Sequence, residues 1–318
     1  MDADLPLREP LQTSAGPAAK ASARAASGGG LQVFIDGAFY PEAEARVSVF
    51  DHTLLYGDGV FEGIRLYNGR IFRLKEHLDR IYDSAHYLML NIPMSREEMT
   101  EAIAETVRRN GLRDGYVRLV VTRGKGTLGL DPHRCERPTV FIIAATIQLY
   151  PPELYEKGMK IMTAATRRNL AESLNGRVKS CNYLNNILAK LEARNSGYEE
   201  ALMLDAHGFV VECTGDNIFI VKGGVISTPP VYLGALAGVT RGCVIELAHD
   251  RGRDVREEPF TRYEVFTADE CFLTGTAAEV IPVVAVDERR IGDGRPGPVT
   301  REMISAFRAR TQTDGHPV

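Results

Sequence analysis

The hydrophobic spacing of this 318-residue chain switches repeatedly between three- and four-residue steps and strict alternation, which confines it to folds that mix helices with sheet. Leu74, Leu78, Ile81, Ala85 and Leu88 recur at helical steps, with Arg80 beside the apolar stripe. A second helix opens at Ser95, with Glu98 three residues later forming a capping box, and closes near Gly111. From Tyr116 to Thr122 the pattern alternates: Val117, Leu119 and Val121 share one strand face, and Tyr116, Arg118 and Val120 share the other. Arg118 therefore points where an apolar strand rarely carries charge.

The run Pro138 to Thr146 reads as a buried strand, and Pro151-Pro152 marks the expected boundary between two domains, 31–150 and 151–318. Residues 1–30, rich in Ala, Ser and Gly and without sustained periodicity, read as a flexible tail. A targeting arm is the alternative, which Asp2, Asp4 and Glu9 disfavour. In the second half, short strands at Ala201 to Leu204 and Phe209 to Glu212 flank an Asp205-Ala206-His207-Gly208 turn, and Phe219 to Val221 leads through Gly223-Gly224 into another strand. Helices are expected over about Tyr183 to Asn195, Val239 to His249 and Thr300 to Arg310. The class is α/β or α+β.

A formal net charge of −4 leaves no electrostatic footprint for nucleic acid or an anionic membrane. Apolar runs such as Thr139 to Ile147 fall far short of the roughly 20 residues that a membrane helix needs. Cys135, Cys181, Cys213, Cys243 and Cys271 are odd in number and widely spaced, which fits neither a disulfide framework nor a metal site, and a reducing cytoplasm is the simplest compartment.

Several segments carry groups suited to cofactor chemistry. Lys179 lies in Arg177-Val178-Lys179-Ser180-Cys181-Asn182-Tyr183, just before a helix; alone, the segment also fits a solvated surface lysine. A lysine that forms a Schiff base needs a neutral amine, which burial and cations such as Arg177 favour. Glu212 ends an apolar strand, where it either faces solvent or seeks a protonated partner. Gly238-Val239-Thr240 opens a helix with free amides, a ready anion site, and Gly275-Thr276-Ala277 offers a second glycine-led turn.

In their order along the chain, these segments resemble the fold-type-IV pyridoxal-phosphate enzymes, most closely the branched-chain amino acid aminotransferases. The match runs from Leu31 onward. It rests on Tyr56-Gly57-Asp58-Gly59-Val60-Phe61-Glu62-Gly63-Ile64-Arg65, His77-Leu78-Asp79-Arg80, Tyr116-Val117-Arg118 with the glycine-rich Thr122 to Pro132 loop, and Lys179 to Lys190. Glu212 to Phe219, Gly238 to Arg241 and Gly275 to Glu279 complete it.

The resemblance implies a small N-terminal α/β domain and a larger C-terminal pseudo-barrel, a homodimer or higher homo-oligomer, and pyridoxal 5'-phosphate between the domains. Lys179 would carry the cofactor and move the proton, Glu212 would face the ring nitrogen, and Tyr183 would bond the phenolic oxygen. Arg80, Val239, Thr240 and Thr276 would grip the phosphate. Tyr56, Phe61, Gly63 and Tyr116 would line the substrate pocket, with Arg118 and Ala277 placed for carboxylates. The implied reaction moves amino groups from branched-chain L-amino acids to 2-oxoglutarate. Relatives of the same fold act on D-amino acids or cleave aminodeoxychorismate. The D-specific enzymes pair an arginine with a histidine two residues on, and Arg123-Gly124-Lys125 lacks that histidine. A non-catalytic cofactor-binding or scaffold protein is the reading from another class.

Overall fold

A computed structural model describes residues 30–147 and 150–318; nearly all of the expected tail, residues 1–29, lies outside the described residues. Among the described residues sixteen strands form two sheets. The first sheet contains β1 (Gln32–Ile35), β2 (Ala38–Pro41), β3 (Gly59–Tyr67), β4 (Arg70–Ile71), β5 (Gly115–Thr122) and β6 (Thr139–Ala145). The second contains β7 (Met159–Thr163), β8 (Glu200–Leu204), β9 (Val210–Cys213), β10 (Asn217–Lys222), β11 (Val225–Thr228), β12 (Val255–Glu257), β13 (Glu270–Gly275), β14 (Glu279–Val286) and β15 (Arg289–Arg290). The final strand, β16 (His316–Pro317), crosses back to pair with β4, a return that nothing in the sequence announces. The helices are α1 (His52–Tyr56), α2 (Leu74–Tyr87), α3 (Arg96–Arg109), α4 (Pro152–Lys157), α5 (Leu184–Asn195), α6 (Val239–His249), α7 (Arg262–Phe266) and α8 (Pro298–Thr311).

The first sheet runs β16-β4-β3-β5-β6-β1-β2 and is antiparallel throughout. One face of β3 and β5 buries Val60, Ile64, Leu66, Val117, Leu119 and Val121 completely, against Leu78 and Ile81 of α2 and Met99, Ile103 and Val107 of α3. Each such side chain stabilises the fold by about 1.5–3 kcal/mol relative to exposure, which fixes the register of both strands. The expected capping box at Ser95 and Glu98 holds the start of α3. Because the buried set is fixed, Tyr116, Arg118 and Val120 emerge together on the opposite face. The strand expected over Pro138 to Thr146 is half-buried rather than buried: β6 alternates, because its second face closes a cavity at Phe141.

In the second sheet β7 runs parallel to β14 and β8, while most other pairs are antiparallel. The path is β12-β11-β10-β13-β14-β7-β8-β9, yet β9 lies against β10 although four strands separate them. The sheet therefore curls into a partly closed barrel, and its open rim faces the free side of the first sheet.

Candidate active site

A cavity of about 690 Å³ lies between that rim and the face of β3 and β5. Lys179 enters it from the segment before α5. Its backbone is pinned from two sides: the Lys179 amide donates to Ser84 Oγ (3.1 Å), and the Phe61 amide donates to the Lys179 carbonyl (3.0 Å). The Cys181 amide donates to the Gly59 carbonyl (2.8 Å), so this segment runs beside β3 like a short added strand. The Lys179 Nζ lies 3.2 Å from the Tyr183 hydroxyl and 4.6 Å from the centre of the Phe61 ring. Arg177, expected as the neighbouring cation, instead lines a separate cavity with Glu76, Asp83 and Glu246. The side chains of a strand-like segment alternate, so residues 177 and 179 share a face only where the backbone is regular; here a turn at Asn175 to Val178 separates them.

Glu212 lies one residue from the end of β9 on the cavity wall and is buried. Arg168 Nε donates to its Oε1 (2.9 Å); the Leu236 amide (2.9 Å) and Asn217 Nδ2 (3.3 Å) donate to its Oε2. Burial pushes its carboxyl above the usual range, while the Arg168 charge and the Leu236 amide oppose that shift. Each carboxylate oxygen accepts about two hydrogen bonds, so Oε1 retains room for another donor.

Arg80 reaches the cavity from α2 with its guanidinium already held. Its Nε and Nη2 donate to Glu62 at 2.6 and 2.8 Å, and its Nη1 donates to the Ala237 carbonyl at 2.8 Å. Glu62 projects from β3 on the face that Val60 and Ile64 bury, and is fully enclosed. His77 also contacts it, at 2.7 Å. Although burial alone would raise the Glu62 carboxyl, Arg80 and His77 together hold it far below the usual carboxylate value. Two of the five guanidinium N–H groups of Arg80 stay free. They stand near the start of α6, where Val239 and Thr240 present amides without helical partners.

Thr276 and Ala277, in the turn between β13 and β14, form the neighbouring wall, and the Thr274 hydroxyl there is buried without a partner. An arginine, a helix start, a glycine-led turn and an orphaned hydroxyl converge, so the residues present fit a phosphorylated ligand.

Phe61, Gly63, Tyr116 and Arg118 line the other end. A Cβ on Gly63 would stand 1.8 Å from the Tyr116 hydroxyl, so the absence of a side chain there lets the phenol cross β3. The Arg118 guanidinium lies 4.6 Å from the Phe61 ring centre and 5.5 Å from that of Tyr116. Among the described residues no carboxylate pairs with it.

The cavity thus gathers Lys179, Tyr183, Glu212, Arg80, Val239, Thr240, Thr276, Phe61, Gly63, Tyr116, Arg118 and Ala277. Tyr56 is not among its walls: its ring meets His52 edge-on at 5.0 Å and its hydroxyl donates to the Leu128 carbonyl. The expectation for Tyr56 is corrected for the single chain, because α1 turns that ring towards the glycine-rich loop. The sequence reading passed over Glu62, His77, Arg168, Asn217 and Asp216. Glu62 carried a usable signal, a charge on the strand face that Val60, Ile64 and Leu66 otherwise keep apolar. Arg168 carried none, since 44 residues separate it from Glu212.

The amino-transferase class IV family model matches residues 59–286. A Methanocaldococcus jannaschii protein, provisionally named a branched-chain-amino-acid aminotransferase, is 53% identical over 278 residues, covering 87% of this chain and 96% of that protein. The crystal structure of the T.th. branched-chain amino acid aminotransferase with pyridoxamine 5'-phosphate is similar with a TM-score of 0.85 and 41% identity, covering 89% of this chain and 94% of that one. The same enzyme complexed with N-(5'-phosphopyridoxyl)-L-glutamate is similar with a TM-score of 0.84, at 41% identity and the same coverage.

Proposed function

Since this chain belongs to the class IV aminotransferases, we propose that it moves amino groups between branched-chain L-amino acids and 2-oxo acids, with pyridoxal 5'-phosphate on Lys179. The observation that carries this reading is the convergence of a lysine amine, an acid, a phenol and a phosphate cradle on one cavity. Bound there, the cofactor supplies an electrophilic carbon and a ring that accepts electrons from the substrate α-carbon.

Each wall residue then has a task. Lys179 would hold the cofactor through its amine, and the same amine would carry a proton to and from the substrate α-carbon. Glu212 faces the ring nitrogen and keeps its proton, and Arg168 holds that carboxyl in place. Tyr183, within reach of Lys179 Nζ, donates to the phenolic oxygen. Arg80 grips the phosphate with its free N–H groups while Glu62 fixes its other edge; Val239, Thr240 and Thr276 complete the grip.

Phe61 and Tyr116 give an aliphatic side chain apolar walls, and Gly63 makes room for the Tyr116 phenol among them. Arg118 and the Ala277 amide bind carboxylates, which lets one pocket accept both leucine-like substrates and glutamate. This supports 2-oxoglutarate as acceptor, reached through two half-reactions in which donor product leaves before acceptor enters. The phosphopyridoxyl-glutamate complex of the T.th. relative agrees with it. Arg123 is engaged by Asp58 at 2.7 and 2.9 Å and by the Leu88 and Met89 carbonyls, so it is not free for a substrate carboxylate; this favours L- over D-amino acids.

We take the chain's two domains as residues 31–150 and 151–318. The unit is a homodimer or larger, because α5 exposes an apolar stripe, Leu184, Ile187, Leu188 and Leu191, that a second copy would cover. Five free thiols and the lack of any described helix long and apolar enough to cross a membrane support a cytoplasmic setting.

Purified protein with added cofactor is expected to develop a visible absorbance band that L-leucine bleaches and D-leucine does not. Lys179→Ala should lose both the band and transamination. An alanine variant that keeps either one removes Lys179 from its role.

A further inference from the structure

Behind the phosphate end of the cavity lies a buried group of polar side chains that the reaction above does not use. The Tyr150 hydroxyl stands 3.1 Å from Asp216 Oδ2 and 3.3 Å from Glu200 Oε2. A phenol has one proton, so it donates to one carboxylate only, and two ionised carboxylates would leave the other contact repulsive. Glu200 is the better site for the charge. Lys190 Nζ lies 3.1 Å from its Oε2, and its Oε1 accepts from the Ala201 and Thr214 amides (2.7 and 3.0 Å) and the Thr214 hydroxyl (2.5 Å). The second proton therefore belongs on Asp216, which donates to Tyr150, which donates to Glu200.

Asp216 also faces the cavity. It precedes β10, and the pairing of Asn217 with Thr274 brings it across from Gly275. The approach is close: a Cβ on Gly275 would stand 2.0 Å from Asp216 Oδ1. The carboxyl thus abuts the turn that carries Thr276.

Resting on the functional reading above, we propose that Asp216, kept protonated in its buried place beside the Glu200 carboxylate, is what lets the Gly275 turn receive the cofactor phosphate, and that its ionisation weakens that binding. Burial first, and then the Glu200 charge, raise the Asp216 carboxyl to about 7, with Tyr150 and Lys190 opposing. The titratable groups facing it are Tyr150 before α4 and Tyr155 on it, Glu200 of β8, Lys190 of α5, and Glu212 and Cys213 of β9; Lys190 alone among them is cationic. Below that pH the turn is neutral. Above it a carboxylate sits beside the phosphate.

The test titrates the full-length protein with pyridoxal 5'-phosphate, and in parallel with pyridoxal, from about pH 6 to about pH 9, reading affinity from absorbance. Comparing the two ligands isolates the phosphate from the pH dependence of the lysine. In the unmodified protein the affinity advantage of the phosphorylated ligand should fall roughly tenfold across the range. Asp216→Asn should hold that advantage constant, and Tyr150→Phe, which removes a donor to the ionised form, should move the fall to higher pH. An unchanged profile in Asp216→Asn overturns the proposal, as does a flat one in the unmodified protein. If the unmodified protein binds neither ligand at any pH, the functional reading fails and takes this inference with it.

Discussion

Two buried carboxylates, one on each side of the cavity, meet an arginine from another element, and the same pairing leaves them in opposite states. Glu62, under the first sheet, takes two bonds from Arg80 and one from His77, and stays far more acidic than a free glutamate. Glu212, on the rim of the second, takes one bond from Arg168 and two from neutral donors, and burial raises it. Burial disfavours the charged form at both sites, and only at Glu62 do the charged donors outweigh it. An arginine partner does not by itself set the protonation of a buried acid; the number of charge-assisted bonds against the cost of burial does. The first arrangement suits a fixed clamp for a phosphate-binding arginine. The second suits an acid that shares a proton with a ring nitrogen.

Breaking the stronger pair should have the largest effect. Glu62→Ala strands Arg80 in a buried site and should lower stability by about 3–5 kcal/mol, read by denaturant unfolding, with cofactor affinity falling in parallel. A loss below about 1 kcal/mol would mean that water reaches the guanidinium and that Glu62 is no clamp. On the opposite wall Glu212→Gln keeps the volume and an acceptor for Arg168, so the protein should fold and bind cofactor while turnover drops at least about a hundredfold. Turnover close to that of the unmodified protein would detach this acid from the ring nitrogen.

The smallest effect sharpens the contrast most directly, because the two acids should tilt stability with pH in opposite senses. Glu62 is lowered when folded, so its contribution is present above the unfolded value of 4.5 and is lost as pH falls through the folded one. Glu212 is raised when folded, so the folded state holds its proton more tightly and stability declines as pH climbs above 4.5 towards the folded value. Thermal unfolding across the acid range should show Glu62→Gln flattening the rise of stability with pH and Glu212→Gln steepening it, each by up to about 1.4 kcal/mol per pH unit. Equal slopes in the two variants would erase the distinction.

Much of the scaffold and the site was legible beforehand. The helical stripe that becomes α2, the capping box of α3, the alternation of β5, the extent of α6 and the turn at Asp205 to Gly208 are all short-range patterns. The resemblance supplied Lys179, Glu212, Arg80 and Tyr183 as a set. Tyr56 lies outside the cavity of the single chain, since α1 turns its ring towards Leu128. Arg177, two residues from the lysine, lines a separate cavity because a turn at Asn175 to Val178 intervenes.

The sequence by itself determined the longer helices and strands, such as α2, α3, α6 and β5, and which face of α2 and β5 must be buried, because hydrophobic period is a property of neighbours along the chain. It also marked Arg118, a charge that the period could not accommodate. Only the tertiary structure decided which acid meets which base: Glu62 with Arg80 across 18 residues, Glu212 with Arg168 across 44, Tyr150 with Asp216 across 66. Those pairings depend on how far the second sheet curls and on where β3 lies against the segment carrying Lys179. The curl sums small twists over many strands, and no single stretch of residues encodes it.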